Sequence, residues 1–373
     1  MRVIVGISGG VDSAVAALLL LRAGHDVAGL FMKNWEDDDT EGHCPAQADY
    51  EAARAACAVL EIPLFATNLS RVYREQVFSQ FLDGYRLGET PNPDVLCNRE
   101  IKFEAFWERA RALGAERMAT GHYARIIESE HGLLLGRSQD PDKDQTYFLS
   151  QVRHTQLQRA LFPLAAHTKP EIRALAHAAG LPNHNRPDST GICFIGERQF
   201  RPFLKRYLAP QPGLICSVDG VQRGEHQGLM YYTLGQRAGL GIGGPGGPWY
   251  VADKVPAHNL LVVSTSDDPA LYSRQLRARS VEWRPAAPVL PRHCRAQIRH
   301  RQPDQACLVE GDAEGVTVTF DNPQRAAAAG QTIAFYENGI CFGGGTICGR
   351  IDPPVYPWLA LWRQGLHEAR VGL

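Results

Sequence analysis

Gly6-Ile7-Ser8-Gly9-Gly10-Val11-Asp12-Ser13 joins an apolar run, Val3 to Ile7, to an Ala- and Leu-rich stretch that stops at Gly24. The run shows no polar alternation, as expected of a parallel strand covered on both faces. Residues 13–23 read as a helix closed by Gly24. A second apolar run, 27–32, follows, and strand, loop, helix and strand over this length make a βαβ crossover. Glycines at the joint let the main chain approach a phosphate, and the helix start offers N–H donors and the positive end of its dipole. No Lys-Ser/Thr follows the glycines, so the loop is not of the Walker A kind. Asp12 supplies a hard oxygen suited to a magnesium-bound or water-bridged phosphate.

Outward from this loop the alternation continues. Helices are expected over 46–60, 72–87, 101–113 and 169–179, with strands near 64–67 and 117–120. Such a pattern predicts a doubly wound parallel sheet with its ligand site at the carboxyl ends of the strands. After about Arg201 the character changes. Helical periodicity fades, Gly and Pro become dense over 239–248, and short apolar runs appear at 260–263, 315–320 and 331–335. These predict small β-barrels or twisted sheets. A further shift near 271–282 divides this half, and the Trp- and Leu-rich tail 352–373 reads as a short docking helix.

The 373 residues carry a net charge of −1, which gives no global attraction to nucleic acid or to an anionic membrane. No targeting or membrane-spanning segment is legible, and a cytoplasmic location is expected. The nine cysteines include no CxxC pair, so neither zinc nor an iron–sulfur cluster is expected. Taken singly, each reads as a small buried hydrophobe. Arginines 274, 277, 279, 284, 292, 295, 299 and 301 surround one acid, Glu282. That surplus reads equally as a phosphate-binding face or as a β-edge protected by charge.

Two further stretches hold chemistry. In Thr90-Pro91-Asn92-Pro93-Asp94-Val95-Leu96-Cys97-Asn98 the alternating prolines predict a stiff, non-helical loop ahead of a helix starting near Ile101. Such a loop would fix a thiol and a carboxylate relative to each other. A nearby helix start would raise the thiolate fraction above the few per cent of an ordinary cysteine at neutral pH. Asp188-Ser189-Thr190-Gly191-Ile192-Cys193-Phe194 places another cysteine in an apolar run.

The Ser-Gly-Gly-x-Asp-Ser loop resembles the pyrophosphate-binding loop of enzymes that cleave ATP to AMP and pyrophosphate. Together with the two cysteine stretches, and with Phe31-Met32-Lys33-Asn34-Trp35, Gly121-His122-Tyr123-Ala124-Arg125, Lys143-Asp144-Gln145-Thr146-Tyr147-Phe148-Leu149 and Tyr231-Tyr232-Thr233-Leu234-Gly235-Gln236-Arg237, it resembles the bacterial tRNA-specific 2-thiouridylases along the whole chain. That resemblance implies three parts: a PP-loop ATPase domain over 1–200, a central β-rich tRNA-contacting domain over 201–275, and a C-terminal tRNA-binding β-barrel with a short tail over 276–373. It implies that Gly6, Ile7, Ser8, Gly9, Gly10, Val11, Asp12, Ser13, Met32 and Gly121 bind ATP, with Mg2+ carried on the phosphates. Asn92, Pro93 and Asp94 would contact the target uridine, with Asp94 an acid/base. Cys97 would be the nucleophile and Cys193 the persulfide carrier, the two closing to a disulfide in turnover. His122, Lys143, Asp144, Gln145, Arg299, His300 and Gln331 would touch tRNA. The sulfur would come from a donor protein.

Other classes remain beside this reading. An ATP-dependent ligase of the GMP-synthetase or argininosuccinate-synthetase kind needs the loop but not two catalytic cysteines. A sister thiolase for another tRNA position usually has an RNA-binding domain before the loop. A non-enzymatic RNA-binding module leaves the loop unexplained.

Overall fold

The computed structural model describes residues 1–37, 46–188, 200–243 and 246–362. In its first part the strands are β1 (Arg2–Gly6), β2 (Asp26–Lys33), β3 (Leu64–Asn68), β4 (Arg117–Ala119), β5 (Arg125–Ser129), β6 (Gly132–Gly136) and β7 (Ala160–Leu161). Helix α1 (Val11–Arg22) follows β1, and α2 (Gln47–Val59) follows β2. A parallel sheet runs in the order β3-β2-β1-β4-β7. Alternate residues of β1 serve different faces. Val3 and Val5 pack with α1 residues Ala14 and Ala17, while Ile4 packs with Phe78, Ile101 and Phe106. Both faces are covered, which is why the strand sequence is apolar without alternation. The strand order reverses between β1 and β4, so the loops after these two strands meet at the switch point where doubly wound sheets bind ligands.

The expected break before Ile101 is corrected. The chain turns helical at Pro93, continues through Leu96, and passes into a π-helical stretch, Cys97–Ala105, then Phe106–Ala112. Asn92 is extended and Pro93 occupies the first helical position, where its missing N–H costs nothing. Cys97 therefore lies one turn inside a helix rather than in a loop before one. π-Helical turns are uncommon and concentrate at functional sites.

The rest is β. The strands β8 (Gly213–Ser217), β9 (Gln222–His226), β10 (Tyr250–Val255) and β11 (Leu260–Ser264) form a sheet ordered β10-β11-β8-β9. Next come β12 (Tyr272–Trp283), β13 (Arg292–Gln297), β14 (Gln305–Asp312), β15 (Gly315–Arg325), β16 (Thr332–Glu337) and β17 (Ile340–Arg350). They run β12-β15-β14-β13-β16-β17, and β12 pairs back onto β17, closing a barrel. β12 crosses residue 275 without a break. The hairpin β5–β6 adds to β17 through Leu135 and Gly136, so the barrel's sheet extends into the first part of the chain. In the tail, Trp358 donates to the Val218 carbonyl at 2.8 Å and covers Gly220 on the central sheet. No helix of the described residues is long and apolar enough to cross a membrane.

Much of the arginine-rich stretch is engaged within the protein. Arg277 pairs with Asp312, Arg279 with Glu89, Arg292 with Glu337 and Arg295 with Asp304. Arg299 donates to the Leu234 and Ala326 carbonyls. Arg284 is 2% exposed. It donates to the carbonyls of Val152 at 2.6 Å, Leu149 at 3.3 Å and Cys341 at 3.4 Å, tying the first domain to the barrel. Arg284→Met leaves these carbonyls buried without donors. A loss of about 3 kcal/mol is expected, read as a lower urea midpoint at unchanged slope.

Candidate active site

Local sequence dictates the phosphate loop. Gly9 has φ +80°, and a side chain there would meet the Asp49 carbonyl at 2.4 Å. Ser13 Oγ donates to the Gly10 carbonyl at 3.0 Å and accepts from the Ser8 N–H at 3.2 Å. Gly10 caps α1 with no side-chain bond, so the first N–H groups of the helix are left for an outside acceptor. Gly121, just past β4, lies so close that a Cβ would stand 2.8 Å from the Asp12 carbonyl carbon and the Ser13 nitrogen. The structure thus brings Gly6–Ser13 and Gly121 together. Met32 sits at the end of β2, partly buried against the core.

A charge cluster that the sequence did not disclose surrounds the loop. Lys169 begins the helix Lys169–Ala178, whose start is fixed by the Thr168 and Glu171 capping box. Its Nζ reaches Asp12 Oδ1 at 2.7 Å and Oδ2 at 2.8 Å, and Asp188 at 2.7 Å. Tyr123 donates its hydroxyl to Asp12 at 2.8 Å. Burial first, and then the Asp12 charge, push that phenol far up. Lys143 holds Asp188 at 2.6 Å and Arg173 holds it at 3.1 Å. Asn183 and Arg186 both donate to the Gly9 carbonyl. Of the two carboxylates Asp188 is taken up by Lys143, Lys169 and Arg173, which leaves Asp12 on the loop itself, a set that suits a triphosphate whose magnesium would be held chiefly by the phosphate oxygens.

Asp188 carries a pH signature. Burial raises its pKa, but hydrogen bonds from Lys143 and Lys169 outweigh that and hold it at about 2. A carboxylate depressed in the folded state stabilises above its unfolded pKa and loses that stabilisation as pH falls through the folded value. Asp188→Asn is therefore expected to melt lower than the parent at pH 7. The two melting curves should converge as pH drops from about 4 toward 2.

Gly121 leads directly to His122, and His122 leads to the other half of the site. Its ring is buried between Phe103 and Phe162. Nδ1 lies 2.7 Å from Thr120 Oγ1, and Nε2 lies 3.4 Å from Lys102 Nζ. Burial, then the Lys102 charge, holds its pKa well below the ordinary histidine value. The ring is buried and faces Lys102. Lys102 is on the helix of Asp94 and Cys97. Burial raises the Asp94 pKa, while Lys102 opposes the shift. Cys97 is 1% exposed. Asn98 donates to the Phe148 carbonyl at 3.0 Å. Cys193 lies outside the described residues.

Of the expected RNA contacts, Lys143 is partly exposed and bound to Asp188. Asp144 is buried, accepting from Ser138 N–H and Thr146 Oγ1. Gln145 is paired with the Tyr123 main chain through its own N–H and its side-chain oxygen, both at 2.9 Å. The last two brace the site from within. The distant calls converge on the start of the Cys97 helix. His300 packs on Phe148 with ring centroids 4.4 Å apart. Tyr147, next to Phe148, donates its hydroxyl to the Thr332 carbonyl at 2.9 Å and lies 3.4 Å from the Ile298 carbonyl. Gln331 donates to the Thr90 carbonyl at 2.8 Å.

Residues 1–197 match the model of the tRNA methyl transferase HUP domain, 201–265 that of the tRNA methyl transferase PRC-barrel domain, and 273–347 that of the aminomethyltransferase β-barrel domain. Among curated relatives, tRNA-specific 2-thiouridylase MnmA of Alkalilimnicola ehrlichii is 53% identical over 93% of this chain and 97% of its own. Those of Geobacillus thermodenitrificans and Pseudomonas aeruginosa are 49% and 50% identical, each over 93% of this chain and 94% of its own. Among solved structures, a 4-thiouridine synthetase–RNA complex with bound ATP aligns at TM-score 0.34 and 16% identity. It covers 55% of this chain and 49% of its own, a likeness too slight to carry weight. The model descriptions speak of methyl transfer and the relatives of thiolation. Identity of about half over nearly full length outweighs a domain description. The chain belongs to the tRNA-specific 2-thiouridylase family.

Proposed function

We propose that this protein uses ATP to replace the C2 oxygen of the wobble uridine by sulfur in tRNAs of the Lys, Glu and Gln type. One observation carries the reading. Consecutive residues touch the two halves of the site: Gly121 lies on Asp12 and Ser13 of the phosphate loop, and His122 lies on Lys102 of the helix bearing Asp94 and Cys97. An ATP activated on one side therefore has a base and a thiol on the other.

The chemistry follows from the leaving group. The uridine C2 oxygen leaves poorly, so it first attacks the α-phosphorus of ATP, giving an adenylated base and pyrophosphate. The α1 N–H groups, Lys169 and Lys143 stabilise the phosphate charge that develops. Asp12 would help hold a magnesium ion brought with the nucleotide, which would supply Lewis-acid stabilisation. Asp94, its pKa raised by burial, handles the proton at the base. The terminal sulfur of a Cys193 persulfide then reaches C2 by one of two routes. It attacks directly, and the Cys97 thiolate then cleaves the S–S bond. Alternatively Cys97 attacks first and releases sulfide, which attacks C2. Either way AMP leaves, the uridine keeps the transferred sulfur, and a Cys97–Cys193 disulfide remains for an external thiol to reduce. The donor that loads Cys193 is a separate persulfide protein. An anticodon-loop base is extruded at less cost than one in a duplex.

The test is product analysis. Protein, ATP, magnesium, sulfide and unmodified tRNA are incubated, and the digested tRNA is examined for 2-thiouridine by mass spectrometry. Formation by the parent chain supports the proposal. ATP cleavage to AMP without 2-thiouridine moves the assignment to a ligase.

A further inference from the structure

The residues that lead into Asn92, Asp94 and Cys97 are held from outside their own domain. Gly88 ends the helix Ser79–Arg86 with φ +78°. Its carbonyl accepts from Lys254 Nζ at 2.9 Å, and Lys254 belongs to β10 of the central sheet. Glu89 pairs with Arg279 of β12 at 3.3 Å. Thr90, 7% exposed, is gripped at both main-chain groups. Its N–H donates to the Ala329 carbonyl at 2.7 Å, and its carbonyl accepts from Gln331 Nε2 at 2.8 Å. Pro91 fills the space over Gly84, where a Cβ would stand 2.4 Å from its Cγ. Gly330 has φ +86°, and a Cβ on it would come within 2.9 Å of Glu89 Cβ and 3.0 Å of the Thr90 main chain.

The same barrel segment is linked to the proposed RNA contacts. Arg299 Nη2 donates to the Ala326 carbonyl at 2.5 Å. Tyr147 donates to the Thr332 carbonyl at 2.9 Å and lies 3.4 Å from the carbonyl of Ile298, the neighbour of Arg299. Residues 326–332 thus contact the groups expected to meet tRNA on one side and the strap 88–92 on the other.

We propose that Lys254 and the barrel turn at 329–331 are positioning residues for the reaction. They fix the strap that sets Asn92, Asp94 and Cys97 against the target base, so tRNA seated on the barrel aligns the catalytic helix in the first domain. The proposal rests on the reading of residues 92–97 as the target-base site. Mispositioning reacting groups by about an ångström costs up to about a hundredfold in rate without a matching loss of affinity.

The experiment uses the full chain with Lys254→Met, Lys254→Arg and Gly330→Val. Amide hydrogen exchange over 88–97 is read with and without tRNA, alongside kcat and KM for thiolation. In the parent, tRNA is expected to slow exchange at Thr90. Lys254→Met lowers kcat about tenfold with KM for tRNA within about twofold, and Lys254→Arg restores most of it. Gly330→Val raises exchange at Thr90 and removes the tRNA effect there. If tRNA leaves exchange over 88–97 unchanged in the parent, or if Lys254→Met keeps full kcat, the positioning role is wrong. The exchange arm needs no product. A parent chain that makes no 2-thiouridine yet shows slowed exchange therefore overturns the activity and not the coupling.

Discussion

Gly121→Val is expected to weaken ATP binding by at least about a hundredfold, or about 2.8 kcal/mol. The new side chain would start 2.8 Å from the Asp12 carbonyl carbon and the Ser13 nitrogen, both main-chain atoms in the first turn of α1. That turn has little room to yield. Ser13 Oγ holds the Gly10 carbonyl, and Asn183 and Arg186 hold the Gly9 carbonyl. Relief must come from shifting the N–H groups meant for phosphate. Overpacking of this kind costs about 1–3 kcal/mol of stability, which leaves most of the chain folded at 25 °C. Titration calorimetry with a non-hydrolysable ATP analogue gives the affinity, and a thermal melt controls for folding. Affinity unchanged in a folded variant would remove Gly121 from the nucleotide site.

With a persulfide donor, Cys97→Ala is expected to lower thiolation by at least about a thousandfold while pyrophosphate is still released from ATP on tRNA. Loss of an activated nucleophile removes the path through it, whereas the phosphate loop and the lysines around it are untouched. The truncation is small and buried, and the neighbouring Asn98 bond to Phe148 does not depend on the thiol. Pyrophosphate release in a single turnover separates activation from sulfur transfer. Cys193→Ala gives the complementary result. It blocks turnover with a persulfide donor but permits slow thiolation with free sulfide. Equal loss of pyrophosphate and product in Cys97→Ala would assign Cys97 a structural role.

What was legible was local. β1, the loop and α1 are contiguous, and their apolar runs and glycines state the fold within a few residues of the true ends. In sequence Pro91 and Pro93 read as one stiff loop, since both lack an N–H. The structure uses them differently, Pro91 in the strap over Gly84 and Pro93 as a helix start. The hairpin at 125–136 had turn residues between apolar runs, but its pairing with β17, some two hundred residues on, leaves no mark in either segment. The arginine surplus conceals its partners for the same reason. The partners of Arg277, Arg279 and Arg292 lie 35, 190 and 45 residues away. Lys169 looked like the first residue of an ordinary capped helix. Its reach to Asp12, across 157 residues, is a property of the packed sheet.

The central claim is that ATP activates the C2 oxygen itself, and oxygen tracing tests it most directly. Transfer RNA carrying 18O at C2 of the wobble uridine is converted in a single turnover, and the AMP is analysed by mass spectrometry. Adenylation followed by displacement predicts one 18O in the AMP phosphate for each 2-thiouridine formed. Label appearing in water, with AMP unlabelled, would mean the C2 oxygen never bonded to phosphorus and would contradict the account.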